Sequence, residues 1–178
     1  MDFWVKIGNA IQKIDYQISH DPELAGKRFE DHVRNLFSTK YFTVVEKTHF
    51  FKTNTEKNMD CSKNPDFIFE YIPTGEKFAI ACTYQTQLNN QNQLEWSNQA
   101  QLKRYQEFEY ERRIPVFIVI GLELPLKSKY YPDAIAHEKF MFNIPLKNAT
   151  YPALNREVFA NFGREYERPF FWKNGKLY

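Results

Sequence analysis

At 178 residues, with 43% apolar and 26% charged side chains and a formal net charge of +2, the chain has the size and composition of one soluble domain with a sizeable core. No run approaches the roughly 20 consecutive apolar residues of a membrane span, and the two cysteines, Cys61 and Cys82, and four scattered histidines fit no zinc-ligand spacing. A membrane-spanning protein and a zinc site are thereby set aside, whereas a charge this small neither requires nor excludes nucleic acid.

Residues 3–18 place Trp4, Ile7, Ile11, Ile14 and Ile18 at helical spacing, which predicts an amphipathic helix with Asp2 as its cap. Lys6, Lys13 and Asp15 distinguish it from a secretory leader, so the chain reads as cytoplasmic with free thiols, and Cys82 as buried and inert. The helix either packs on the domain or serves as a contact in a homodimer. Asp21-Pro22 then reads as the N-cap and first-turn residue of a second helix running to about Ser38, with Ala25, Phe29, Val33 and Leu36 as its buried stripe. Glu30 lies beside that stripe in GKRFEDHV, where pairing with Lys27 or Arg34 explains it as readily as a functional role. Residues 41–51 alternate enough for a first core strand. A polar loop over residues 52–63 follows, its Lys52, Lys57 and Lys63 either solvated or free to touch a phosphate backbone.

The most informative stretch is NPDFIFEYIPTGEKFAIACTYQ, Asn64 to Gln85. Residues 65–72 are aromatic and β-branched, Pro73-Thr74-Gly75 supplies a tight turn, and Phe78, Ile80, Cys82 and Tyr84 alternate with Lys77, Ala79, Ala81 and Thr83. This predicts a hairpin whose second strand has one bulky face and one small or polar face. A polar loop, TQLNNQNQ, leads to a helix expected from Leu94 to about Arg113, with Trp96, Ala100 or Leu102, Tyr105 and Phe108 available for burial. Within it Gln101 and Tyr105 stand four apart, on one helical face. Residues 114–121, IPVFIVIG, form a continuous apolar run of the kind buried on both faces of a sheet. Mostly loop is expected after Gly121, then a strand from Lys139 to Leu146. A helix from Tyr151-Pro152 to about Phe162 buries Leu154, Val158, Phe159 and Phe162, and the tail closes as a hairpin turning at Asn174-Gly175.

A Pro-Asp at the head of such a hairpin, with Q-x-x-x-Y on the next helix, resembles the PD-(D/E)XK nuclease superfamily, in the branch that contains RecB-type and Cas4-type nucleases. The resemblance covers residues 22 to about 121. It implies an α/β, restriction-endonuclease-like αβββαβ core with a mixed central sheet flanked by helices, plus an N-terminal helix over residues 1–20 and an extension over residues 122–178 of a single domain. In that family the Pro-Asp acid and a second acid, two residues before a lysine, hold a divalent metal against the scissile phosphate. Pro65-Asp66 matches the first half, whereas Ala81 stands where the second carboxylate belongs and Thr83 where the lysine belongs. By the same resemblance Asp66 and the backbone carbonyl of Cys82 are the remaining metal ligands and Glu30 is an auxiliary acid. Gln101, Tyr105, Lys103 and Gln85 support the site or face the nucleic acid.

The implied function is a magnesium- or manganese-dependent phosphodiesterase acting on DNA, with RNA as the second candidate. Losing one preorganised electrostatic partner costs on the order of a hundredfold to a thousandfold in rate, so this chain is expected to be catalytically impaired. The alternatives are a noncatalytic module that binds nucleic acid or protein, an Ala81 introduced in place of a natural acid, and an active site relocated onto Glu70, Lys77 or Gln85.

Overall fold

The structure, a computed structural model, describes residues 22–48, 64–126 and 136–178. The expected N-terminal helix and the loop carrying Lys52, Lys57, Cys61 and Lys63 lie outside the described residues. Among the described residues no helix is long and apolar enough to cross a membrane.

The first described element is helix α1 (Pro22–Asn35). It buries Phe29, Val33 and Leu36 as the spacing predicts, and Phe37 joins them. It stops at Asn35 rather than Ser38 because the chain tightens there: the Leu36 and Phe37 amides donate to Val33 and Arg34 carbonyls three residues back. The predicted hairpin is present as β2 (Phe67–Tyr71) and β3 (Glu76–Gln85), with Gly75 at φ 71° in the turn and β1 (Phe42–Lys47) on its outer edge. Next come β4 (Leu94–Glu95), helix α2 (Gln99–Arg112), β5 (Val116–Leu126) and β6 (Ala136–Pro145). The chain closes with β7 (Ala153–Leu154), the single-turn helix α3 (Arg156–Phe159), β8 (Gly163–Arg164), β9 (Trp172–Lys173) and β10 (Lys176–Leu177).

The main sheet has the order β1-β2-β3-β5-β6-β8. β3 and β5 run parallel and the other neighbours antiparallel, so the sheet is mixed. Its two faces divide by the period-two alternation of β3. Phe78 and Ile80 pack with Phe67, Phe69 and the α1 stripe, and Cys82 and Tyr84 lean on that cluster. Ala79 and Ala81 pack with Ile68 and with Leu102, Tyr105 and Phe108 of α2. The protein is thus a mixed α/β fold with a central mixed sheet flanked by helices, and α1, β1, β2, β3, α2 and β5 follow in the αβββαβ order.

Further boundaries also differ from expectation. Helix α2 begins at Gln99, not Leu94, because β4 is drawn into pairing with β7, and Asn98 Oδ1 accepts the Gln101 N–H at 2.9 Å to cap the helix. Trp96 is buried from the connecting segment, its Nε1 donating to the Tyr151 carbonyl, and Ala100 is exposed. Strand β5 continues past Gly121 to Leu126, because antiparallel β6 supplies it with partners as far as Leu126↔Ala136. The helix expected from Tyr151 is reduced to α3 and a 3₁₀ turn over Ala160–Phe162, since residues 153–154 are already extended in β7. The C-terminal hairpin turns at Asn174 and Gly175, both with positive φ, and stacks Trp172 on Phe78 at 4.6 Å between ring centroids.

Candidate active site at the head of the central hairpin

β2 starts at Phe67, opposite Ile80, so the second half of β3 runs past it with only β5 alongside. Carrying that register one residue back places Asp66 opposite Ala81. Ala79 donates its N–H across to Pro115 at 2.8 Å, which turns the odd-numbered amides of β3 toward β5 and the even-numbered ones toward β2. Past the start of β2 the Cys82 N–H therefore has no strand to meet, and the Asp66 side chain takes that place: its Oδ2 accepts the Cys82 N–H at 2.6 Å. The Cys82 carbonyl lies on the same edge. Thr48, just after β1, fixes the acid's backbone, donating its N–H to the Asp66 carbonyl at 3.0 Å and its hydroxyl to the Pro65 carbonyl at 2.9 Å.

Asp66 is 7% exposed. Burial raises its pKa to about 7, and the Glu30 carboxyl pushes the same way against the Cys82 N–H and Lys47. Glu30 is itself held above its ordinary value by burial, with Lys47 as the strongest opposing charge. Burial, then Asp66 and Glu30, raise the Cys82 thiol well above its usual range, which leaves it a neutral and inert group. The Tyr105 hydroxyl is likewise pushed up by burial and by Asp66, while Gln101 Nε2 donates to its oxygen at 3.0 Å. Elements far apart in the chain thus bring Glu30, Lys47, Asp66, Cys82 and Tyr105 within electrostatic reach of one another.

Glu30 is half-buried and turned to this cluster, while Arg34 pairs with Asp31 at 3.7 Å. Ala81 is buried opposite Asp66, and Thr83 and Gln85 continue the same face of β3 half-exposed. Lys103 is not brought to the site: it stands exposed on the other side of α2, paired with Glu107 at 3.7 Å. Glu70 and Lys77 pair with each other at 3.7 Å near the hairpin turn. Four residues of strand, about 13 Å, separate Glu70 from Asp66, so the pair lies away from the Asp66 cluster. Lys47 is the residue sequence reasoning missed. Its Nζ lies 5.5 Å from the Phe67 ring centroid, and its only signal was its place at the end of an alternating strand that leads to the Pro-Asp.

The donors that could hold a cation, the Asp66 and Glu30 carboxylates and the Cys82 carbonyl, are all oxygens, which suits magnesium or manganese in kind. Among the described residues no three His, Cys, Asp or Glu side chains converge, so the site offers two carboxylates and one carbonyl.

No family model matches the chain, and no curated protein matches it. Among solved structures it is similar to Hjc, a Holliday junction resolvase from the archaeal hyperthermophile Archaeoglobus fulgidus, with a TM-score of 0.48 and 14% sequence identity over 80% of this chain and 97% of that chain.

Proposed function

We propose that the protein is a phosphodiesterase of PD-(D/E)XK type directed at DNA, with RNA as the second candidate, whose hydrolysis is impaired by the loss of the acid at position 81. The observation that carries this reading is the buried Asp66 carboxyl, bonded to the Cys82 amide and electrostatically coupled to Glu30 and Lys47. A carboxyl held at such cost to its ionised form marks a place where a positive charge is expected. Asp66 and Glu30 would hold magnesium or manganese, with the Cys82 carbonyl as a third donor. When bound, the ion supplies Lewis acidity at a phosphate oxygen. Lys47 then stands for the absent lysine at Thr83, offering a positive charge to the developing negative charge, and Gln101 with Tyr105 offers an amide and a hydroxyl to the phosphate backbone. Ala81 contributes neither charge nor ligand.

A second reading, a noncatalytic nucleic-acid-binding module, is favoured by the same Ala81 methyl and by the neutral Thr83. Cleavage of plasmid and linear DNA with magnesium or manganese separates the two, measured for this chain, for Ala81→Glu, and for Ala81→Glu combined with Asp66→Ala. Cleavage that rises at least a hundredfold with Ala81→Glu and is lost with the added Asp66→Ala supports the impaired nuclease. DNA binding without cleavage by any of the three supports the module, and neither binding nor cleavage overturns both.

A further inference from the structure

A cavity of about 640 Å³ opens where β5 begins and β6 ends, beneath the C-terminal hairpin. Its rim carries Lys147, Arg164, Arg168 and Lys176, and its wall includes Phe117, Leu146 and Phe162. Glu109 also lines it, but that carboxylate is engaged by the Val116 N–H at 2.9 Å. Among the described residues none of the four cations forms an ion pair. Arg164 is held rigidly: it donates to the Arg168 and Tyr178 carbonyls, and its guanidinium lies 3.5 Å from the Phe170 ring centroid. Burial and the neighbouring Arg168 lower its pKa to about 10.

An apolar ring would fill the Phe162 side of the cavity, and a phosphate would meet the cationic rim. The volume lies within the range of small-molecule sites, roughly 300–1,000 Å³.

We propose that this cavity binds a nucleoside monophosphate unit, its phosphate on Arg164, Arg168, Lys147 and Lys176 and its ring against Phe117, Leu146 and Phe162. The unit is either a free nucleotide or the phosphorylated end of a strand. The site is separate from the Asp66 cluster and needs no metal, so it stands or falls independently of the function proposed above.

Titration calorimetry on the full chain with EDTA present tests it, using AMP, adenosine, and one short oligonucleotide with and without a 5′-phosphate. AMP is expected to bind at least about tenfold more tightly than adenosine, and the double variant Lys147→Glu with Lys176→Glu to lose that preference. The charge-matched Arg28→Glu with Lys40→Glu, away from the cavity, keeps it. Equal binding of AMP and the phosphorylated strand identifies the free nucleotide as sufficient; binding of the phosphorylated strand alone identifies the strand end. The proposal is overturned if neither binds, if the phosphate makes no difference, or if both charge variants weaken binding equally.

Discussion

The Asp66 carboxylate accepts the Cys82 backbone N–H at 2.6 Å, so one side chain closes the strand edge that β2 leaves open. The bond favours the ionised acid, yet burial outweighs it and holds the pKa at about 7, against an ordinary value of 3.8. A carboxyl whose folded pKa lies above its unfolded one contributes its full stability below about pH 4 and loses it as pH rises to 7. At most about 4 kcal/mol is involved. Asp66→Asn keeps an oxygen acceptor and abolishes the titration. Urea unfolding should show the variant gaining on the parent chain from pH 4 to pH 7, with a constant advantage above that. A difference independent of pH would contradict the assignment.

The same shift governs metal affinity. An ion at Asp66 has to displace a proton held with a pKa of about 7, so manganese binding, followed by calorimetry, should strengthen by about tenfold from pH 6 to pH 8, mostly below pH 7, with proton release that fades above pH 7. Glu30→Gln should weaken that binding by about tenfold or more. Equal affinity at both pH values would mean that the ion sits elsewhere.

Lys47 opposes the protonation of both acids, and Glu30 favours that of Asp66. Lys47→Met is therefore expected to move the Asp66 midpoint upward, and Glu30→Gln downward. The carboxyl carbon resonance of Asp66, followed by NMR through a pH titration, reads both directions. Shifts of the same sign in the two variants would refute the proposed arrangement.

The hairpin was legible because Phe78, Ile80, Cys82 and Tyr84 face one core and Ala79 and Ala81 the other, a period-two pattern that tertiary packing only reinforces. Asn174-Gly175 was legible for a local reason, since both residues tolerate positive φ. Lys47 was not, because its approach to Glu30 and Asp66 depends on the pairing of β1 with β2 and on the register shift between Val44 and Glu46, which no alternation reveals. Leu94 was misread as helical because its pairing with Leu154 joins segments far apart in the chain. The extension of β5 past Gly121 escaped for the same reason: β6 supplies its partners.

The Gln101 to Tyr105 bond, 3.0 Å long on the inner face of α2, binds a half-buried amide to a buried hydroxyl. Tyr105→Phe removes it and should cost about 1 kcal/mol in urea unfolding. If the hydroxyl also meets a phosphate, DNA affinity in a filter-binding assay should fall about tenfold in the same variant. A loss of stability with unchanged DNA affinity would confine the pair to bracing the site.

Gly121 sets the distance of α1 from the sheet. A Cβ added there would lie 2.6 Å from Phe29 Cε2 and 2.6 Å from Tyr84 Cδ2, and both rings are already packed, their centroids 5.4 Å apart. Gly121→Ala should therefore destabilise the chain by about 1–3 kcal/mol through overpacking. Because Glu30 follows Phe29 directly on α1, displacing the helix should also draw Glu30 away from Asp66 and lower the Asp66 midpoint. Phe29→Leu combined with Gly121→Ala makes room for the methyl, so the pair should cost less than the sum of the single variants. Unfolding of the four chains completes the cycle, and strict additivity would show that α1 does not rest on Gly121.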